Sequence, residues 1–254
     1  MLPRLYAILD AGCFSDSKVM FVAAEELVAG GVTLLQYRNK SGNARVMLEE
    51  ARELRRRVGE RVRLIMNDRA DLCLAADFDG VHVGQDDLSP EAVRRVLGFD
   101  PRLAQQTREP GAQSSTPEGR PFQSQEESLL SFEPRLASEK RRREPGAQTF
   151  RGYWLGVSTH NPEQLAMADK TSADYLAIGP VFATSSKVNP DPVVGIGGVQ
   201  RARELTRKPL VAIGGITRAN ARAVIEAGAD SVAVISDLIR EPRKSAEEFL
   251  RILR

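Results

Sequence analysis

Two apolar runs in this chain end in carboxylates. Leu64-Ile65-Met66 leads into Asn67-Asp68, and Val81-His82-Val83 leads into Gly84-Gln85-Asp86-Asp87. As neighbouring parallel strands, the two runs would set their acidic ends side by side at one rim of a sheet. Paired carboxylates suit Mg2+, which takes one or two of them and fills its octahedron with water and substrate phosphate oxygens. A glycosidase-type acid/base couple is the other use for Asp68 and Asp87. It ranks below metal binding because the groups around the pair are phosphate ligands.

Those groups occur at several strand ends. Gln36, Arg38 and Lys40 alternate along Gln36-Tyr37-Arg38-Asn39-Lys40, so in a strand all three project to one side. A guanidinium fork, an ammonium and an amide aimed together can hold a diphosphate, although a solvated strand end has the same composition. Ala212-Ile213-Gly214-Gly215-Ile216 and Ala233-Val234-Ile235-Ser236 close two later runs. Glycines there admit a ligand to the backbone and to exposed N–H groups, and they also serve tight packing alone. Gly179 to Lys187 forms a hydroxyl-rich loop containing Thr184 and Ser186 and ending in a lysine, a length that could close over a phosphate. His160, just past a strand, is either an acid/base or a histidine packed at the rim. His82, inside a run, reads as a hydrogen-bonded core residue.

The elements that must position these groups alternate. Strands are predicted at Leu5–Leu9, Thr33–Arg38, the two runs above, Tyr153–Val157, Tyr175–Ile178, Leu210–Ile213 and Ser231–Ile235. Helical spacing of apolar residues fills the gaps: Val19, Val22, Ala23 and Leu27, then Met47, Ala51, Leu54 and Val58. Asn43, Ser89-Pro90-Glu91 and Asn161-Pro162-Glu163 read as helix starts. Further helices are expected at 70–76, at 198–207, after a Thr217 cap at 218–227, and at 246–253 behind a Ser245…Glu248 capping box. Eight strands alternating with helices predict an α/β fold, a closed (β/α)8 TIM barrel. An open doubly wound sheet is the alternative, weakened because no GxGxxG follows the first strand.

The totals narrow the class. With 36 basic and 34 acidic residues the net charge is +2, which argues for no nucleic acid and no membrane surface as partner. The chain has no apolar run long enough to span a bilayer and no signal-peptide pattern at its start. Cys13 and Cys73 have no metal or redox spacing and read as reduced thiols in a cytoplasmic protein. The expected partners are small-molecule substrates, and a homo-oligomer is compatible with this composition. The pattern breaks at 99–152, where 12 of 54 residues are apolar, about half the chain average. Such a segment cannot bury enough surface to offset its ordering entropy, so an insertion without regular structure is expected between the fourth helix and the fifth strand of one barrel domain. It contains a direct repeat, with Arg108 to Gln113 recurring at Arg143 to Gln148. The repeat reads as a duplicated linker, or as an interaction segment.

Taken together, QYRNK at 36–40, MNDRADL at 66–72, DGVHVGQDDL at 79–88, GVSTHNPEQL at 156–165, YLAIGPVFATSSK at 175–187, VAIGGI at 211–216 and VAVIS at 232–236 resemble the thiamine phosphate synthase family. The resemblance covers nearly all the chain outside 99–152. It implies a transferase that joins a hydroxymethylpyrimidine diphosphate to a thiazole phosphate and releases diphosphate, assisted by Mg2+. It also implies roles for individual residues. Gln36, Arg38, Lys40, Asn67, Ser158 and Lys187 would serve the pyrimidine diphosphate, with Arg38, Lys40 and Lys187 stabilising the leaving group. Thr184, Ser186, Gly215, Ile235 and Ser236 would bind the thiazole phosphate. Asp68 and Asp87 would hold the metal, Asp87 being preferred to Asp86 on the resemblance alone.

Two departures accompany it. The family usually joins the fourth helix to the fifth strand with a few residues, so 99–152 is expected to leave the barrel face opposite the site and to be dispensable. The loop reads Thr-Ser-Ser-Lys where Thr-x-Thr-Lys is commoner, and Ser186 keeps the hydroxyl. The nearest rivals are a thiazole tautomerase, with His160 as its catalytic residue, and a non-catalytic phosphate-binding scaffold. Neither needs the basic triplet, Asn67-Asp68 and Asp87 together.

Overall fold

A computed structural model describes residues 2–98, 152–184 and 191–254. Among these residues eight parallel strands close on themselves in chain order, β1 pairing with both β2 and β8. They are β1 Leu5–Asp10, β2 Leu34–Arg38, β3 Arg63–Asn67, β4 Gly80–Val83, β5 Trp154–Thr159, β6 Tyr175–Ile178, β7 Leu210–Ile213 and β8 Ser231–Val234. Around them run α1 Ser17–Ala29, α2 Ala44–Val58, α3 Ala70–Ala75, α4 Pro90–Val96, α5 Pro162–Asp169, α6 Gly195–Leu205, α7 Ala221–Glu226 and α8 Pro242–Ile252. This is the TIM barrel that the alternation predicts. The expectations for 99–151, including the repeat, lie outside the described residues, as do Ser186 and Lys187. No helix among the described residues is long and apolar enough to cross a membrane.

The barrel separates the two faces of each strand. Leu5, Ala7 and Leu9 of β1, Leu64 and Met66 of β3 and Val232 and Val234 of β8 pack outward under the helices. Tyr6, Ile8, Leu34, Ile65, Tyr175, Ala177, Val211 and Ala233 fill the interior as a second apolar cluster. This is the period-2 alternation of a strand applied to a closed sheet. Alanines at 177 and 233 keep the upper interior narrow in side chains and open in space.

Most helix starts follow the capping chemistry read from sequence. The side chains of Asn43, Ser89 and Asn161 accept from Val46, Ala92 and Gln164 N–H groups at 3.2, 3.3 and 2.8 Å. Two do not. Helix α8 begins at Pro242, so Ser245 lies buried inside its first turns rather than capping it. Helix α7 begins at Ala221, after a turn in which the Asn220 side chain accepts from the Thr217 N–H at 2.8 Å, the reverse of the expected cap.

One device recurs at the lower rim. An aspartate stands just ahead of β4, β6 and β8: Asp79, Asp174 and Asp230. Each donates its N–H to a leucine carbonyl of the preceding strand, Leu64, Leu155 or Leu210, at 2.8 Å. Each then accepts that same leucine's N–H on its carboxylate at 2.7–2.8 Å. An arginine from an outer helix, Arg55, Arg94 or Arg203, completes each clamp. Asp174→Ala takes the carboxylate from the mostly buried Arg94, which keeps only carbonyl acceptors such as those of Tyr153 and Ser172, so it is expected to lower unfolding free energy by about 2 kcal/mol. Urea denaturation measures this, and a midpoint equal to wild type would contradict it.

Candidate active site

A cavity of about 530 Å3 opens at the carboxyl ends of the strands. This is the end where TIM barrels carry their chemistry. Strand register explains what meets there. Asp10 pairs with Arg38 and Ile8 with Gln36 across β1 and β2. Asn67 lies beside His82 across β3 and β4, and Ser158 beside Ala177 across β5 and β6. Of the residues named from sequence, Gln36, Arg38, Lys40, Asn67, Asp68, Asp87, Ser158, Thr184, Gly215, Ile235 and Ser236 all line the cavity, as does Asp86.

The two basic residues of the triplet are held by acids. Arg38 pairs with the buried carboxylate of Asp10, which also accepts from the Gly12 N–H at 3.1 Å. Lys40 pairs with Asp68. Asp68 holds a left-handed backbone at φ 62° and gives its N–H to the His82 carbonyl at 2.8 Å. That region is costly for a residue with a side chain, and such cost tends to persist where a site requires it. Asp77, at φ 55° in an exposed turn, shows that an aspartate can also adopt it with no site nearby.

Asp87 stands within hydrogen-bonding reach of Asp68 and accepts from the Gly84 N–H at 2.7 Å. Burial, and then the Asp87 carboxyl beside it, hold the Asp68 carboxyl above its ordinary proton affinity, while Lys40 acts in the opposite direction. A carboxylate whose charge is disfavoured by burial and by a second carboxyl beside it fits a hard dication. Among the described residues no group of three or more His, Cys, Asp or Glu is arranged for a metal. A pair of carboxylates matches an ion that keeps water and phosphate in most of its positions. Next to the pair, the amide nitrogen of Asn67 is buried and has no hydrogen-bond partner. An unmet donor of this kind costs about 1–3 kcal/mol and is met by an acceptor arriving in the cavity.

Deeper in the barrel runs a hydrogen-bond chain that the sequence reading missed. Gln36 Nε2 donates to the Tyr6 hydroxyl at 2.7 Å, and the Tyr6 and Tyr175 hydroxyls lie 3.0 Å apart. Tyr175 meets His82 Nδ1 at 3.1 Å, and His82 Nε2 meets Ser158 Oγ at 2.8 Å. Only one direction leaves no buried hydroxyl proton stranded. Tyr6 accepts from Gln36 and donates to Tyr175, and Tyr175 donates to Nδ1. Nε2–H then donates to Ser158, whose own proton is left to point at a ligand. The sequence signal was present, since Tyr6 and Tyr175 occupy inward positions of short apolar strands, but nothing marked their hydroxyls as neighbours.

Burial lowers the His82 pKa from 6.5 to about 4, with Asp87 opposing. The unfolded chain therefore binds a proton that the folded one refuses, so stability is complete above pH 6.5 and is lost as pH falls toward 4. From pH 8 to pH 5 this histidine alone is expected to remove about 2 kcal/mol. His82→Gln should flatten that part of the stability profile in denaturant titrations. An unchanged acid limb would refute the assignment.

At the opposite wall, Gly214 and Gly215 have φ of 98° and 63°, and a Cβ on either would strike Pro180 at 2.5 Å or the Ala183 carbonyl at 2.5 Å. The pair therefore lets the loop after β6 pack onto the loop after β7, with Val181 and Phe182 N–H groups bonded to Ile213 and Gly214 carbonyls at 2.8 and 3.0 Å. His160 Nδ1 lies 2.7 Å from the Gly179 carbonyl, to which it donates, and 3.5 Å from Asp191.

A family model described as thiamine monophosphate synthase matches residues 5–109 and 142–238. The thiamine-phosphate synthase of Koribacter versatilis is 52% identical over 255 residues, covering 99% of this chain and 96% of that protein. The one from Chloroflexus aurantiacus is 36% identical over 239 residues, covering 93% and 85%. Among solved structures, a thiamine phosphate pyrophosphorylase from Pyrococcus furiosus superimposes with a TM-score of 0.70 at 26% identity, covering 98% of this chain and 95% of that one. A 3-hexulose-6-phosphate synthase from Salmonella typhimurium, at 14% identity and a TM-score of 0.61, covers 99% and 98% and shares the fold alone.

Proposed function

The chain belongs to the thiamine monophosphate synthase family, and on that premise we propose that this transferase forms thiamine phosphate from a hydroxymethylpyrimidine diphosphate and a thiazole phosphate. The observation that carries the substrate assignment is the convergence in one cavity of Arg38, Lys40, the adjoining Asp68 and Asp87, and the unpartnered Asn67 amide. This is the set a diphosphate needs.

The C–O bond between the pyrimidine methylene and the diphosphate breaks first in the proposed reaction. The resulting carbocation is captured by the thiazole nitrogen, and diphosphate leaves. Arg38, held at the rim by Asp10, and Lys40 meet the negative charge that grows on the leaving oxygens. Asn67 donates to the same group. Ser158, made a donor by His82, offers its proton to an acceptor on the pyrimidine, and Gln36 binds alongside. Asp68 and Asp87 would hold Mg2+, which when bound supplies further neutralisation of the diphosphate. Thr184, Gly215, Ile235 and Ser236 line the wall proposed for the thiazole phosphate. Lys187 and Ser186 extend the two sets on the family pattern. Holding the nucleophile against a short-lived cation is itself a large part of the rate.

Incubating the protein with both substrates and Mg2+ tests the proposal. Thiamine phosphate and diphosphate in equal amounts are expected. Isomerisation of the thiazole phosphate with no coupled product would favour the tautomerase instead.

A further inference from the structure

Glu50 lies on α2, outside the cavity, and is 8% exposed. A carboxylate so buried needs donors, and it has three. Ser17 Oγ donates at 2.5 Å, the Tyr37 hydroxyl donates to Oε2, and Asn39 Nδ2 donates to Oε2 at 2.9 Å. All three partners donate to its carboxyl oxygens. Tyr37 and Asn39 alternate with Gln36, Arg38 and Lys40 along the end of β2, so Glu50 grips the outward residues while the inward ones reach the cavity. Asn39 extends the grip, because its Oδ1 accepts from the Ser41 N–H at 2.8 Å. The backbone on both sides of Lys40 is thereby tied to one buried side chain. Strand pairing ends with β2 at Arg38, so beyond that residue no sheet hydrogen bond holds the chain.

We propose that Glu50 is a positioning residue for the diphosphate subsite: through Asn39 and Tyr37 it holds the end of β2 so that Arg38 and Lys40 point together at the leaving group. Ser17, the first residue of α1, anchors the carboxylate from the other side. The proposal rests on the diphosphate reading of the site and adds a residue that touches no substrate. Removing the grip keeps both basic groups in the chain and frees the segment that aims them. The loss should therefore fall on one substrate.

Steady-state kinetics with each substrate varied in turn tests this. Glu50→Gln is expected to raise KM for the pyrimidine diphosphate about tenfold and to leave KM for the thiazole phosphate within about twofold. Asn39→Ala, which spares the buried carboxylate and two of its donors, should give the same split if Glu50→Gln fails to fold. Ser17→Ala removes a Glu50 donor away from β2 and should lower thermal stability with both KM values within about twofold of wild type. A purely structural Glu50 would lower stability and the active fraction in every variant without moving either KM. An active wild type whose diphosphate-substrate KM is unmoved in Glu50→Gln and Asn39→Ala overturns the inference alone. A wild type that forms no thiamine phosphate overturns the proposed function and this inference with it.

Discussion

Asp87→Asn should cut the rate of thiamine phosphate formation by on the order of 10²–10³, by analogy with the loss of one preorganised charge-stabilising group. The fold should survive. Asp87 is exposed in the loop after β4, and its one described hydrogen bond, from the Gly84 N–H, can be accepted equally by an amide oxygen. What changes is the anion next to Asp68. With one carboxylate neutral, the proposed Mg2+ loses half of its protein charge, and Asp68 loses the neighbour that raises its proton affinity. Asp86→Asn is the control. It lines the same cavity and should retain most of the activity. Rate assays over a range of Mg2+ concentrations decide the matter. A loss of rate in Asp87→Asn that excess Mg2+ partly restores supports the pair, whereas an equal loss in both variants would remove the distinction between Asp86 and Asp87.

Gly156→Ala is expected to be strongly damaging for a change of a single methyl group. A Cβ there would lie 2.1 Å from Tyr175 Cζ and 2.4 Å from His82 Nδ1. Neither neighbour can step aside cheaply. The Tyr175 hydroxyl is bonded to both Tyr6 and His82, and His82 is bonded onward to Ser158. Overpacking in such a core costs roughly 3 kcal/mol, a large share of a typical domain's stability. It should also break the chain that makes Ser158 a donor, so the surviving folded protein should bind the pyrimidine substrate poorly. Gly152→Ala meets no atom of the described residues within 4 Å and should be neutral in the same urea titration. A wild-type midpoint for Gly156→Ala would contradict the packing described here.

The barrel was legible because its signals are local. Alternating apolar runs of strand length and amphipathic stretches between them specify the elements, and eight such repeats leave few other closures. Gln36, Arg38 and Lys40 could be grouped for the same reason, since residues two apart share a strand face whatever the fold. The capping predictions that failed, at Thr217 and Ser245, failed where another local signal sets the helix start, a proline at 242 and an Asn220 turn. Thr217 is spent in the turn that Asn220 closes, and Ser245 is buried within α8.

Partners far apart in sequence were a different matter. By itself the sequence determined the element order, the shared strand face of Gln36, Arg38 and Lys40, and the family, because each depends on spacing along the chain. The tertiary structure alone decided which acid after β4 turns toward Asp68, that Glu50 reaches Asn39 from a helix, and that Gln36, Tyr6, Tyr175, His82 and Ser158 form one chain. Those facts depend on how far each strand slides against the next before the barrel closes. Register is a property of the closed sheet, summed over eight pairings, and no single strand contains it.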